Sequence, residues 1–485
     1  MVLLALVLIP LIAATLLLAL RPAASTARGL ALTSSLLTLV LTLWLWYTWN
    51  GTAVIAINHD WVPAWGMRFV LGYGGIGLLM LVLTAVLFPF IIGTGYKQPA
   101  GDASLVNALL LYCQSALFGV FIAQNAFLFY IFFELTLLPI FFLLLRWGGE
   151  HKRTITIRFF LYTLLGGLAL LFSIAYVTLQ TPVPHSADFT ALAALDLPMD
   201  VQAWLFWAMF LAFAIKMPIF PFHSWQPETY TMAPTQGTMV LSAVMGKMGI
   251  YGIVVFLFTI LPEGSAHWRH WVVGLSLFGA LYAAVIAFRQ DDFKRLVAYS
   301  SMSHMGLMCA GLFALNTYGI SGALYQTFAH GVLMVCLFFI VGMMHQRTGS
   351  HHFAQMGGLK TAMPRLALLF MLVVANAISM PLTQSFPGEW LMFTGLWRMQ
   401  PWLALAGVAL IVLGAIYMLH AYQRVLLGPP QDKPGLVAAD ADGDEHFLLV
   451  PLIAICFLVG LFPNLVLQLV DAPVQQLLNS ITSLP

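Results

Sequence analysis

The stretch WLFWAMFLAFAIKMPIFPF, residues 204–222, decides the fold of this chain. At 1.5 Å per residue an apolar run of this length can cross a bilayer as a helix. It nevertheless contains Lys216, followed by Pro218 and Pro221, which interrupt helical hydrogen bonding. An ionisable group at membrane depth costs several kcal/mol on most scales, so it is rarely kept without a partner and a purpose. The stretch therefore predicts a broken membrane helix beside a functional lysine.

Similar apolar runs recur along the whole chain. Of the 485 residues, 61% are hydrophobic and 8% are charged, whereas a soluble domain has about 25% charged residues. We predict an all-α polytopic membrane protein with about 14 transmembrane helices. Their approximate centres are Val7, Val40, Leu81, Leu111, Leu135, Leu168, Ala212, Tyr251, Leu281, Leu307, Met334, Met380, Ile411 and Phe457.

The distribution of basic residues predicts the orientation. Loops after even-numbered runs contain only 3 basic residues, Arg68, Arg269 and Arg398. Loops after odd-numbered runs contain 15: Arg21, Arg28, Lys97, Arg146, Lys152, Arg153, Arg158, Arg289, Lys294, Arg295, Arg347, Lys360, Arg365, Arg424 and Lys433. Because cytoplasmic loops are enriched in Lys and Arg, we expect both termini on the outer side of a bacterial cytoplasmic membrane.

The hexapeptide around Lys216 has an echo. Ala214-Ile215-Lys216-Met217-Pro218-Ile219 resembles Ala377-Ile378-Ser379-Met380-Pro381-Leu382, in the seventh and twelfth runs. An offset of five helices places the copies in opposite directions, which predicts two inverted five-helix repeats, each with a broken helix. Two proline-kinked helices alike by chance are the alternative. The predicted units are helices 1–3 at 1–103, the repeats at 104–262 and 263–427, and a polar loop with helix 14 at 428–485.

Two of the 18 acidic residues, Glu134 and Glu389, and two of the 20 Lys and Arg residues, Lys216 and Lys247, fall inside the apolar runs. A carboxylate about 4 Å from a buried ammonium contributes roughly 4 kcal/mol at an effective dielectric of 20. Moving it would therefore switch the lysine between holding and releasing a proton. We hypothesise that Glu134 and Lys216 form such a pair; a static ion pair kept for structure is the alternative.

Lys247 and three histidines complete a predicted relay. Lys247 lies in a run with no acid of its own, which makes it a candidate proton acceptor midway across. His304 and His330 sit among hydroxyl-bearing or small residues. His223 follows Lys216 by seven residues and would share its helix face if the helix continued through the two prolines. A structural role is the better interpretation for any one histidine, but together with two lysines and two glutamates they indicate proton transfer.

No redox cofactor or metal is predicted in this chain. Its four cysteines, at 113, 309, 336 and 456, lie singly inside apolar runs, without the spacing of iron–sulfur ligation. The adjacent His351 and His352 lack further ligands at metal-site spacing. The glycines of residues 72–77 lead into an apolar helix and indicate a flexible turn rather than a nucleotide site.

Several motifs together resemble the antiporter-like subunits of respiratory complex I, the proton-pumping NADH:quinone oxidoreductase. They are Ala214 to Trp225, Ala233-Pro234-Thr235, Lys247 to Gly252, Asp292 to Ser301, Ser303 to Gly306 and His330-Gly331. The resemblance extends from about Leu105 to Phe462. Glu389, where related L-type and N-type subunits have a lysine, looks like the M-type subunit, called chain 4 in mitochondria.

The resemblance implies a role for each residue. Glu134 and Lys216 would be the coupling pair, Lys247 the central carrier, His304 and His330 relay groups, and Glu389 the group leading to the outer side. Flavin, iron–sulfur clusters and quinone would belong to partner subunits, which include the L-type and N-type subunits in the lipid bilayer. The chain departs from the family pattern at Gly74, Gly77, Gln226 and Tyr230.

We therefore expect a proton-translocating subunit that couples quinone reduction elsewhere in a complex to proton transfer. The alternatives are a sodium/proton antiporter subunit and a membrane subunit of a related hydrogenase or bicarbonate-uptake complex.

Overall fold

Helices form nearly all of the structure, a computed structural model that describes residues 1–97, 102–429 and 439–482. Lys433, counted above among the basic loop residues, lies outside these ranges. Thirteen described helices are long and apolar enough to cross a membrane. They are α1 Val2–Leu20, α2 Ala24–Tyr47, α3 Gly75–Tyr96, α4 Ala103–Ile122, α5 Ala126–Trp147, α6 Lys152–Gln180, α7 Met199–Lys216, α9 Thr235–Phe258, α10 Pro262–Phe288, α11 Phe293–Phe313, α12 Thr317–Thr348, α15 Pro401–Leu427 and α16 Gly443–Leu461.

The remaining predicted span is a broken helix. It consists of α13, Pro364–Ala377, and α14, Ser385–Met399, each too short to cross alone. The seventh span is broken in the same way, since α7 ends at Lys216 and α8, Trp225–Met232, follows it. The predicted fold class of about fourteen membrane helices with two broken ones is confirmed; the repeat boundaries stay a prediction.

Five helices form the interior. Helix α12 is buried along its most apolar window, and most of α3, α4, α9 and α11 is buried as well. Helices α1, α2, α6, α10, α15 and α16 surround them and expose large apolar side chains such as Leu165, Phe172 and Trp271. An apolar outer surface is what a bilayer requires, so the polar groups inside are enclosed by protein rather than by lipid.

A β-hairpin between α2 and α3 was not predicted. Strand β1, Val54–Val62, pairs antiparallel with β2, Met67–Tyr73, with Val54 opposite Tyr73. The residues 72–77 are therefore not a flexible turn: Gly72 and Tyr73 end β2, and Gly75 begins α3. Two register irregularities break the alternation of apolar and polar residues, which hid the strands in the sequence.

A second unpredicted element follows α16. Helix α17, Asn464–Thr482, is amphipathic and packs on the start of α3. A Cβ at Gly75 would collide with the Leu469 carbonyl, so glycine permits this close approach. The C-terminal segment 428–485 therefore contains two helices in the described residues rather than one.

Candidate proton-transfer site

Lys216 is the last residue of α7, where the helix breaks. Pro218 and Pro221 cannot donate backbone hydrogen bonds, so α7 cannot continue through them. The indole Nε1 of Trp225 donates to the Ile215 carbonyl at 3.0 Å, which satisfies one carbonyl of the last turn. Lys216 itself is only 4% exposed, so the break holds an ionisable group inside the protein.

A pair of glycines on α6 brings Glu134 close to this break. A Cβ at Gly166 would lie 3.1 Å from the Ala212 Cα of α7. A Cβ at Gly167 would collide with the Glu134 carboxylate of α5. The absence of side chains at both positions lets α6 pack closely on α7 and leaves room for the carboxylate between α5 and α6.

Glu134 and Lys216 lie near each other but do not form a direct ion pair. Their charges are close enough to interact coulombically, but no N–O distance within 4.0 Å joins them in the described structure. Lys216 Nζ lies 4.6 Å from the centroid of the Phe133 ring and has no hydrogen-bond partner, as is also true of Glu134 Oε1. The predicted pair is therefore arranged with its charged atoms more than 4.0 Å apart.

Lys247 lies on α9 beside a turn of π-helix, Leu241–Met245. Gly246 N donates to the Leu241 carbonyl at 3.1 Å, five residues back, in place of the usual spacing of four. The Lys247 ammonium nitrogen donates to the Ser242 carbonyl. Lys247 is fully buried, so the π turn supplies a backbone acceptor where no carboxylate is present.

A line of ionisable groups runs from Lys247 toward α14. Lys247 Nζ lies 2.7 Å from His330 Nδ1 on α12, and the His330 and His304 rings have centroids 5.5 Å apart. His304 Nδ1 is 3.3 Å from Glu389 Oε1. Four of the predicted residues thus form one continuous series through four helices, α9, α12, α11 and α14.

Glu389 is 4% exposed and faces a small cavity. The cavity has a volume of about 10 Å³ and is lined by His304, Ser379 and Tyr417 among others, which is near the lower limit for one water molecule. Both polar atoms of the nearby Gln326 side chain lack a hydrogen-bond partner, as do His304 Nε2 and Ser379 Oγ. Buried polar atoms are normally satisfied by protein or water, so this region is suited to hydration.

His223 does not join this series. Its ring packs between Phe220 and Tyr282, with both centroids 5.5 Å away, in the segment between α7 and α8. No hydrogen bond or ion pair connects it to Lys216 in the part of the chain that the structure describes. Its predicted relay role has no contact in this arrangement to support it.

Sequence reasoning missed Gly167 and Ser242, which contact predicted residues, and Gln326, which packs against Gly388 next to Glu389. A Gly-Gly pair within an apolar run was a usable signal for Gly167, because glycine in a helix interior costs about 1 kcal/mol relative to alanine. No pattern pointed to Ser242, since its contribution is a backbone carbonyl released by the π turn.

The chain resembles known proteins in sequence and in structure. Residues 123–414 match the family described as NADH:quinone oxidoreductase/Mrp antiporter, TM. A relative from Rickettsia bellii, NADH-quinone oxidoreductase subunit M, is 34% identical over 454 residues, covering 92% of this chain and 91% of the relative.

Solved structures resemble nearly the whole chain, and two illustrate the likeness. A chain of respiratory complex I from Thermus thermophilus with bound NADH aligns with a TM-score of 0.89 and 29% identity, covering 98% of this chain and 100% of that one. A chain of the Mrp complex from Dietzia sp. aligns with a TM-score of 0.86 and 19% identity, covering 97% of this chain and 96% of that one. At 19% identity the second likeness shows a shared fold alone.

Proposed function

The chain belongs to the NADH:quinone oxidoreductase/Mrp antiporter membrane family, as an M-type subunit of NADH:quinone oxidoreductase, and on that basis we propose that it translocates protons without a redox cofactor of its own. Its partners are the other membrane subunits of complex I, among which we propose L-type and N-type subunits as direct neighbours. Flavin, iron–sulfur clusters and quinone are assigned to partner subunits.

The observation that carries this proposal is the series Lys247, His330, His304 and Glu389. Lys247 lies within hydrogen-bond distance of His330, and His304 lies 3.3 Å from Glu389. The His330 and His304 rings have centroids 5.5 Å apart, and a water between them would complete the path that proton transfer between side chains requires. Lysine, imidazole and carboxyl groups can each bind and release a proton. The series therefore provides a route for protons across the centre of the helix bundle.

Glu134 and Lys216 are assigned to coupling. Electron transfer in partner subunits changes the separation of these two groups. Approach of the Glu134 carboxylate favours the charged form of Lys216, and its withdrawal favours the neutral form. The Lys216 backbone lies beside Gly246, the residue before Lys247. A charge on Lys216 would disfavour a second positive charge on Lys247. A proton is thereby sent from Lys247 to Glu389.

We assign the outer side to both termini and to the β-hairpin. The excess of Lys and Arg in the loops after odd-numbered spans supports a cytoplasmic location for those loops. Protons would then be taken up where α9, α11 and α12 approach the cytoplasm and released beyond Glu389.

The proposal is tested on the intact complex, purified in mild detergent through a tag on this chain. We expect flavin and iron–sulfur absorbance and NADH:quinone activity to co-elute with it. In vesicles, Lys216→Met should reduce proton pumping and coupled redox turnover together while the complex stays assembled.

Two results would contradict the proposal. Co-elution with colourless membrane partners alone would favour the antiporter alternative, for which sodium/proton exchange is the next assay. Loss of assembly in Lys216→Met, with normal pumping in Lys247→Met, would indicate that the buried charges serve structure.

A further inference from the structure

Three helix ends meet on the face that bears most of the basic loop residues. A Cβ at Gly342, near the end of α12, would lie 3.0 Å from the Thr235 side chain at the start of α9. Phe293 N, at the start of α11, donates to the His351 carbonyl just after α12, at 2.8 Å. The starts of α9 and α11 and the end of α12 are therefore held together.

Titratable side chains of decreasing exposure to solvent occupy this junction. His345 is exposed, and its ring stacks on that of the half-buried His351 with centroids 4.1 Å apart and planes 18° apart. Lys294 is 4% exposed, and its charge is close enough to interact with both histidines. Asp292 and His352 are the other charged or titratable groups that interact there. The groups thus run from water to the protein interior.

Lys294 is hydrogen-bonded to the segment that leads to α9. Its Nζ donates to the Ala233 carbonyl at 2.5 Å. The Thr238 hydroxyl approaches the same carbonyl at 3.4 Å and donates to the Tyr230 carbonyl at 3.0 Å. A buried ammonium and a fully buried hydroxyl therefore both lie close to the Ala233 carbonyl oxygen.

The polar groups continue along α9 to Lys247. Ser242 Oγ donates to the Thr238 carbonyl at 2.7 Å, and the Ser242 carbonyl accepts from Lys247 Nζ. Five residues of regular α-helix would turn Lys247 about 140° away from Ser242. The wider π turn reduces that offset, so Thr238, Ser242 and Lys247 lie along one side of α9.

We propose that protons enter this subunit through that junction, from His345 and His351 to Lys294 and on past Thr238 and Ser242 to Lys247. The inference rests on the proposed function and adds the residues of the uptake route. Each step moves one proton from a donor to the next acceptor, directly or through water, and leaves the donor ready for the next proton. Thr238 and Ser242 act as positioning residues that orient water beside Lys247.

The test uses the intact complex in vesicles, with proton pumping and NADH:quinone turnover measured in parallel. Thr238→Val and Lys294→Met should each lower proton pumping by at least about tenfold, since a positioned proton-transfer group contributes about 10²- to 10⁴-fold. Thr84→Val is the matched control. Thr84 is also fully buried, and its hydroxyl donates to the Met80 carbonyl of its own helix at 2.8 Å, but that helix is α3, outside the proposed route. It should pump normally.

Two further variants separate proton transfer from structure. Lys294→Arg keeps a cation and a hydrogen-bond donor but does not release a proton, so it should be impaired like Lys294→Met. Thr238→Ser restores the hydroxyl and should restore pumping. The loss in Thr238→Val should also shrink as the pH on the uptake side falls, because a higher proton concentration offsets a slower uptake.

Lys247→Met in the same preparation separates this inference from the proposed function. Normal pumping in Lys247→Met overturns the proposed function. Loss of pumping there, with normal pumping in Lys294→Arg and Thr238→Val, overturns only the uptake route. Should Lys294→Met fail to assemble, Lys294→Arg and Thr238→Val decide the question alone.

Discussion

Lys247 Nζ lies 2.7 Å from His330 Nδ1, so a residue of the eighth membrane span and one of the eleventh share a hydrogen bond in the interior. When the ammonium donates to Nδ1, the neutral imidazole carries its proton on Nε2, which has no protein partner among the described residues. The ring can therefore accept a proton at one nitrogen and release another from the opposite one. This hydrogen bond joins Lys247 to the part of the predicted relay formed by His330, His304 and Glu389.

His330→Gln should interrupt that connection. Glutamine retains hydrogen-bonding capacity but does not bind and release a proton near neutral pH. We expect proton pumping in vesicles to fall by about tenfold or more, with the complex still assembled. His223→Gln is the control: His223 lies outside the series, and its substitution should leave pumping close to that of the unaltered complex. Equal losses in the two variants would contradict the arrangement described here.

Gly167→Ala should disturb the coupling pair through a single methyl group. The added Cβ collides with the Glu134 carboxylate, which must move within a packed interior. We expect reduced pumping and reduced coupled turnover, measured on the purified complex.

Gly274→Ala is the matched control for that substitution. A Cβ at Gly274, on the exposed side of α10, meets nothing within 4 Å, so alanine there should be neutral or stabilise its helix by up to about 1 kcal/mol. Normal pumping in Gly167→Ala would show that the carboxylate position is not critical.

Arg347 and Glu445 form a buried ion pair that joins α12 to α16. The guanidinium donates to both carboxylate oxygens, at 2.9 and 2.6 Å, and the two side chains are 5% and 1% exposed. Glu445→Gln should destabilise the complex by about 3–5 kcal/mol, because it leaves a buried cation without its counter-charge. Thermal unfolding of the purified complex measures this.

The double variant Arg347→Met with Glu445→Leu should recover much of that loss, since replacing both charges removes the unpaired group. A double variant less stable than the single one would mean that the pair contributes through its other bonds. Those bonds are substantial: Arg347 also donates to the carbonyls of Met343, Ala439 and Asp440.

The sequence predicted the groups of the site better than their geometry. Glu134, Lys216, Lys247 and Glu389 could be identified because ionisable residues are rare inside apolar runs and costly there. The prolines after Lys216 and Ser379 predicted both helix breaks, because proline interrupts helical hydrogen bonding. The fourteen spans followed from hydropathy and from the alternation of basic loops.

What the sequence could not predict depends on contacts between distant segments. The separation of Glu134 from Lys216 is set by Gly166 and Gly167 on a third helix. The acceptor for Lys247 is a carbonyl released by a π turn, which has no sequence signature. Helix α17 was missed because its apolar residues follow one helical face rather than a continuous run, and the hairpin was missed because its register is irregular.

The most direct test of the central claim is the proton-to-electron ratio of the purified complex in sealed vesicles, with Lys247→Met compared with the unaltered chain. The account predicts an assembled complex with its flavin and iron–sulfur absorbance unchanged and with proton pumping sharply reduced. An assembled Lys247→Met complex that pumps with an unchanged ratio would contradict the account, because protons would then cross without the residue that links Ser242 to His330.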